Sequence, residues 1–453
     1  MRPFVAAALR SRLSALGIAL TTASALLFLG LVLLEILGVL QNPYIGIVIF
    51  VVVPILFVLG LLLIPLGLWL GRRSRAGVSE AVAWPTLDFR NTTHRRMLMF
   101  VLVATIVNLA IIAMASVGAV EYTESQTFCG QVCHTPMEPE FTAHQSGPHA
   151  RVHCVSCHVG PGPGGFLRAK MNGTRQLWLV ATGGYSRPIP TPIEGLPGVV
   201  ATCEQCHTPD RYVGDVVKDF YEHADDEANT QTKTVATLKV GGAFAGSGTG
   251  AGIHWHMNRG NVVEYVTLDE SREKIPYVRV TTPDGKVREY FAEGVTSETL
   301  AGKASRRMDC LDCHTRPAHT FETSPARAVD EALGRGAMSA SIPFLRREAV
   351  RALKAEYPSR EVALTQIEQT LRASLQSGSS TPVDEAELRR AIGVTKAIYQ
   401  RSVFPTMKIG WGTYKVQSGH TSSDGCFRCH DDEHKTREGL AIRQDCEMCH
   451  TID

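Results

Sequence analysis

Three stretches of the chain are apolar at nearly every position: residues 16–40, 44–70 and 97–120. Each exceeds the ~18 residues that span a bilayer's hydrocarbon core. A surface helix of a soluble protein would keep a polar face along such a length. Arg2, Arg10 and Arg12 precede the first run, as they would in a signal peptide. Its apolar length exceeds the ~7–15 residues of a signal core, and no clear small-residue cleavage site follows. The pattern predicts three membrane helices. Pro54 and Pro65 fall inside the second, where kinks are tolerated. Tyr44 and Trp69 stand at its two ends, as interface aromatics do.

After residue 120 the pattern becomes mixed. Residues 326–333, 344–357, 361–375 and 384–399 repeat apolar positions at three- and four-residue spacing, which predicts helices. Ser377-Gly378-Ser379-Ser380 separates the last two, with Thr381 as an N-cap and Pro382 at the first helical position. Residues 277–280 and 287–291 read as two strands around Pro283-Asp284-Gly285, a hairpin signal. A Gly-rich loop, residues 241–252, precedes them.

Charge adds a direction. The arginines before the first run, and Arg72, Arg73, Arg75, Arg90, Arg95 and Arg96 between the second and third, mark the cytoplasmic side. The turn Gln41-Asn42-Pro43 carries no positive charge. Three crossings then leave everything after about residue 120 outside a bacterial inner membrane, in the periplasm. The net charge of +2 gives no case for nucleic acid. Glu35 lies near the outer end of the first run; an interfacial charge and a functional intramembrane carboxylate are both open readings.

The chemistry of the outer region is carried by cysteine. Five C-x-x-C-H motifs occur: Cys154, Cys157 and His158; Cys203, Cys206 and His207; Cys310, Cys313 and His314; Cys426, Cys429 and His430; Cys446, Cys449 and His450. A sixth, first in the chain, has three residues between its thiols: Cys129, Cys133 and His134. All 12 cysteines are used. The spacing is that of covalent c-type haem attachment, in which two thiols bond one porphyrin and the next imidazole reaches its iron. Zinc ribbons and disulfides are the alternatives, but neither needs histidine directly after the second cysteine. Histidine is 16 of 453 residues, so six such placements would arise by chance with odds on the order of 10⁻⁹. In the first motif a bulged loop eased by Gly130 would admit both thioethers, and attachment by Cys133 alone is the alternative. Six porphyrins would share the outer residues, so one large apolar core is not required.

Six-coordinate iron needs a second axial ligand. The candidates are His149, His254, His256, His319, His420 and His434, each near a motif or in a His-rich setting. His254 and His256 would share a face if they stood on a strand. His144, His153 and His223 are weaker candidates, and His94 falls in the cytoplasmic loop.

A membrane helix, a haem motif with Met137 just after it, the segment Ser146-Gly147-Pro148-His149 and a second motif follow one another. This order resembles the NapC/NirT family of membrane-anchored quinol dehydrogenases over about residues 97–207. The resemblance implies that the first haem lies at the membrane surface and takes electrons from menaquinol or ubiquinol. It implies Met137 as a ligand to that haem and Lys170 as the quinol-site lysine. The family's acidic partner of that lysine has no clear match, and Gln176 is nearest. Glu35 would accept the proton. Typical members have one anchor helix and four haems. The longer C-terminal part resembles larger inner-membrane cytochromes that feed periplasmic chains.

The expected protein is a membrane-anchored multihaem cytochrome c. It would have three transmembrane helices and a mostly α and irregular haem-packed domain with a small β-hairpin insertion. Residues 1–120 would form the membrane domain, 121–210 a triple-haem region, 211–305 the insertion, and 306–453 a second triple-haem region with a helical linker. Its partners would be the bilayer, the quinol pool, and periplasmic cytochromes or a reductase. The alternative is a terminal reductase with one open-site haem acting on a small substrate such as nitrite.

Overall fold

The computed structural model describes residues 11–40, 44–73, 90–160, 162–191, 197–208, 214–241, 252–258, 260–377 and 383–453. Arg2, Arg10, Arg75, the turn at residues 41–43, most of the Gly-rich loop, Thr381 and Pro382 lie outside them. The chain divides into two compact units, Met1–His134 and Thr135–Asp453.

The first unit holds the three apolar helices: α1 (Arg12–Ile36), a second whose apolar span is Ile45–Leu70, and α3 (Thr92–Glu124). The second opens with a short α-helical segment, Ile45–Ile47, passes through a π-helical turn, Val48–Val52, and continues as α2 (Val53–Arg73). Each is long and apolar enough to cross a membrane. The helix α3 starts earlier than its apolar pattern, so His94 sits on its first turn rather than in a loop. Small residues set the approach of α1 to α2: a Cβ on Gly17 would lie 2.8 Å from the Gly60 carbonyl. The Ser14 hydroxyl donates to the Ile64 carbonyl at 2.9 Å, and that of Ser11 to the Gly67 carbonyl at 3.0 Å. Small residues and hydroxyls replace the hydrophobic drive that lipid removes.

The second unit is mainly helical. Its helices of eight residues or more are α4 (His134–Ser146, which starts at the unit boundary), α5 (Gly162–Thr182), α6 (Pro325–Gly334), α7 (Leu345–Lys354), α8 (Arg360–Ser377) and α9 (Glu385–Ser402). The last four match the helical periodicity. Asp384 caps α9 by accepting from the Ala386 and Glu387 amides. Together α6–α9 enclose a sizeable apolar core that includes Leu345, Leu353, Ile367, Leu371, Leu388 and Ile398, all fully buried. The expectation that no large core was required therefore does not describe this region. The four helices carry no haem motif and must be stabilised by side-chain packing.

Strand content exceeds the single hairpin expected. The hairpin is present as β4 (Tyr277–Thr281) and β5 (Val287–Phe291), with Gly285 at φ 81° in its turn. It extends through β3 (Val262–Val266) and β6 (Arg306–Arg307) into a four-stranded sheet ordered β5-β4-β3-β6. A second sheet, ordered β1-β2-β7, joins Val216–His223, Gln231–Leu238 and His450–Ile452. The strand β7 begins at the histidine of the last motif, whose Cα pairs in register with Leu238.

Candidate haem sites and their axial histidines

Five motifs each wind into a single tight turn. The His207, His314 and His430 amides donate to the carbonyls of Cys203, Cys310 and Cys426 at 2.8, 2.9 and 3.0 Å. Cys154–His158 is a one-turn helix, and Cys446–Cys449 another. One turn gathers two thiols and an imidazole on a common side, as attachment to one porphyrin requires. The first motif differs: Phe128–Val132 is a π-helical turn. A π turn is a helix with one residue inserted. The third intervening residue is thus absorbed in a wider helical turn rather than in a loop. No disulfide joins any of its cysteines or the others among the described residues. Among the same residues no three His, Cys, Asp or Glu side chains converge as a metal-ion cluster, the arrangement a zinc ribbon would need.

The motif interiors contribute more than spacing. Asp312, inside the fourth motif, is buried and accepts from Tyr265 Oη at 2.7 Å, Arg272 at 2.6 Å and Arg306 Nε at 3.2 Å. Arg428, inside the fifth, donates to the Asp312 carbonyl at 2.7 Å. These residues clamp the fourth motif to the sheet and the fifth to the fourth. Reading the motif as cysteines and histidine passed over them. Their signal is an ionisable residue at a variable position. The thiols of Cys203 and Cys310 lie within hydrogen-bonding reach. Cys157 is within electrostatic range of Cys206, Cys313 of Cys426, and Cys426 of Cys449. The second to sixth motifs therefore stand beside one another in chain order.

Histidine rings from elsewhere face five of the motif histidines. Ring centres are 6.2 Å apart for His158 and His319, 5.9 Å for His207 and His149, and 6.3 Å for His314 and His254. They are 5.9 Å apart for His430 and His256, and 6.0 Å for His450 and His420. Two imidazoles on opposite faces of one iron, with metal–nitrogen bonds of about 2 Å, would have centres roughly 6 Å apart. The residues present fit haem on this measure.

Hydrogen bonds sort these histidines from the others. Nδ1 of His149, His254, His256 and His319 bonds the carbonyls of Pro317, Val240, Ile253 and Glu140, at 3.1, 3.2, 3.0 and 2.9 Å. That anchor fixes the tautomer and leaves Nε2 with its lone pair, the usual arrangement of a metal-binding imidazole. Burial lowers the pKa of His158, His254, His256 and His314, and takes His319 down to about 4, so these rings stay neutral. His434 behaves differently. Its Nδ1 meets Asp431 at 2.8 Å and its Nε2 meets the Ile275 carbonyl at 2.7 Å, so both ring nitrogens are engaged in buried structural bonds. His144 lies 6.0 Å from His319, but its Nε2 is directed at the Val152 carbonyl at 3.0 Å. His223 is buried against Asp330 at 3.3 Å, and His153 is the residue before the one-turn helix of the second motif.

His254 and His256 are on a five-residue 3₁₀ turn, Ile253–Met257, and not on a strand. At three residues per turn, positions two apart point about 120° away from each other. The turn accordingly sends one ring to the fourth motif and the other to the fifth.

Met137 lies on the first turn of α4, three residues after His134, and is half-buried. Lys170 lies on α5 with Nζ 4.9 Å from the Phe166 ring centre. Gln176 is exposed six residues along the same helix, about 120° around it from Lys170. The helix does not bring these two onto one face. Leu167, Met171 and Trp178 are 62%, 67% and 70% exposed and form one apolar stripe on α5. Glu35 is exposed on α1.

Residues 90–188 match the model of the NapC/NirT cytochrome c family, N-terminal region. The chain is 40% identical to the cytochrome c-type protein ImcH of Geobacter sulfurreducens over 446 residues, 97% of this chain and 87% of that one. The chain belongs to the NapC/NirT cytochrome c family. It is therefore a membrane-anchored electron-transport cytochrome with covalently bound haem. No solved structure matches this NapC/NirT cytochrome. The family match ends at residue 188, so the third to sixth motifs lie beyond it.

Proposed function

We propose that this cytochrome oxidises membrane quinol and passes the electrons, through six covalently attached haems, to an acceptor in the periplasm. Bound haem supplies one-electron redox chemistry at each motif. The two cysteines of each motif would hold the porphyrin, and His158, His207, His314, His430 and His450 would ligate its iron. His319, His149, His254, His256 and His420, in the same order, would supply the second imidazole. His434 is left out of this ligand set because its nitrogens are engaged. At the first motif His134 and Met137, three residues apart in the chain, are the proposed iron ligands.

The observation that carries the reading is the set of five imidazole pairs. Irons held by such pairs would have no free position for substrate, which favours electron transfer over a terminal reductase. The adjacency of successive motifs supports passage along the chain. The charge asymmetry of the loops supports a periplasmic haem region.

Quinol oxidation releases two electrons and two protons. Lys170 would donate a hydrogen bond to the quinol oxygen and stabilise the anion as the first proton leaves. The exposed apolar stripe beside it suits a helix at a lipid surface. Glu35 would receive the proton; Gln176 has no acidic group and no shared face with Lys170. Spectra test the ligand assignment. Electron paramagnetic resonance of the oxidised protein should show low-spin haem at five motifs or more. Two or more high-spin haems in intact protein would favour the reductase.

A further inference from the structure

The membrane unit contains a cleft of about 520 Å³ between α2 and α3. Its lining is almost wholly apolar and includes Phe28, Phe50, Pro54, Ile111, Ala115 and Ala119. The volume is in the ~300–1,000 Å³ range of small-molecule sites. A line of aromatic rings leads away from it. Phe28 and Phe50 are 6.4 Å apart, Phe50 and Tyr122 6.0 Å, and Tyr122 and Phe128 5.3 Å. Phe128 immediately precedes Cys129 of the first motif. Two glycines seat these rings: a Cβ on Gly118 would lie 2.4 Å from Phe50, and one on Gly46 2.1 Å from Tyr122. The π-helical turn that carries Phe50 is a feature often found at functional sites.

Charge distinguishes the occupants. Glu35 is close enough to Tyr122 to interact electrostatically with it. No Lys or Arg occurs at positions 13–71 or 97–134. Within these stretches an anionic lipid phosphate would meet carboxylate and no cation, whereas a neutral quinol hydroxyl would meet a phenol and a carboxylate. We propose that this cleft takes the isoprenoid tail of the quinol and directs its ring toward Tyr122 and the first motif. The proposal rests on the quinol reading and adds to it a binding site built by the three-helix unit.

The test uses full-length, haem-loaded protein in nanodiscs, with Ala119→Leu and Ile112→Trp as variants that fill the cleft from two positions. Reduction by a long-tailed menaquinol is compared with reduction by tail-free menadiol, and binding of long-tailed menaquinone is measured separately. The expected result is a roughly tenfold fall, about 1.4 kcal/mol, in the ratio of long-tailed to tail-free kcat/KM. Menaquinone binding should weaken to match, while dithionite still reduces every haem. An unchanged ratio and unchanged binding in both variants would overturn the tail site and leave a lipid acyl chain in the cleft. Wild-type protein that dithionite reduces but neither quinol does would instead overturn the quinol reading. Tail binding, measured on its own, would then decide the cleft.

Discussion

Replacing His256 by alanine separates ligand from scaffold. Its ring centre is 5.9 Å from His430, and its Nδ1 holds the Ile253 carbonyl at 3.0 Å. Removing the ring leaves the fifth motif's iron with one protein ligand. One of six motifs is affected, so about one-sixth of the oxidised haem should turn high-spin. The pair His254–His314, 6.3 Å apart on the other side of the turn, should remain low-spin because the Val240 carbonyl still anchors His254. The double variant of His254 and His256 should give about two-sixths, which tests whether the turn serves two sites independently. The assay is spin quantitation by electron paramagnetic resonance, with haem content measured by mass. His434→Ala is the control. It removes two buried hydrogen bonds, of 2.8 and 2.7 Å, and should lower stability by about 1–3 kcal/mol without adding high-spin haem. If His256→Ala stays fully low-spin with six haems attached, or His434→Ala becomes high-spin, the ligand argument is refuted.

Further outcomes follow from the other sites. Denaturing mass measurement should show six haem additions, and a count of five would point to the first motif. Met137→His should lower the potential of the first haem and slow quinol oxidation; an unchanged potential would place the ligand elsewhere. Lys170→Ala should abolish reduction by menaquinol while dithionite still reduces every haem, and wild-type turnover would sink its role.

The features readable from the chain are those encoded within a few residues. A membrane helix is stated by its own apolar length, and a haem attachment site by five or six consecutive residues. The helices α6–α9 and the 277–291 hairpin were legible for the same reason. Tertiary structure decided which partner each local feature meets. His319 follows the fourth motif in sequence yet its ring faces His158 of the second, 161 positions earlier. His434 looked like a ligand because it follows the fifth motif, but Asp431 and Ile275 take both its nitrogens. His254 and His256 looked like one strand face, and a 3₁₀ turn sends them to different motifs. An imidazole's role depends on what lies within about 3 Å of each ring nitrogen. That is a property of long-range packing, and sequence neighbours do not contain it.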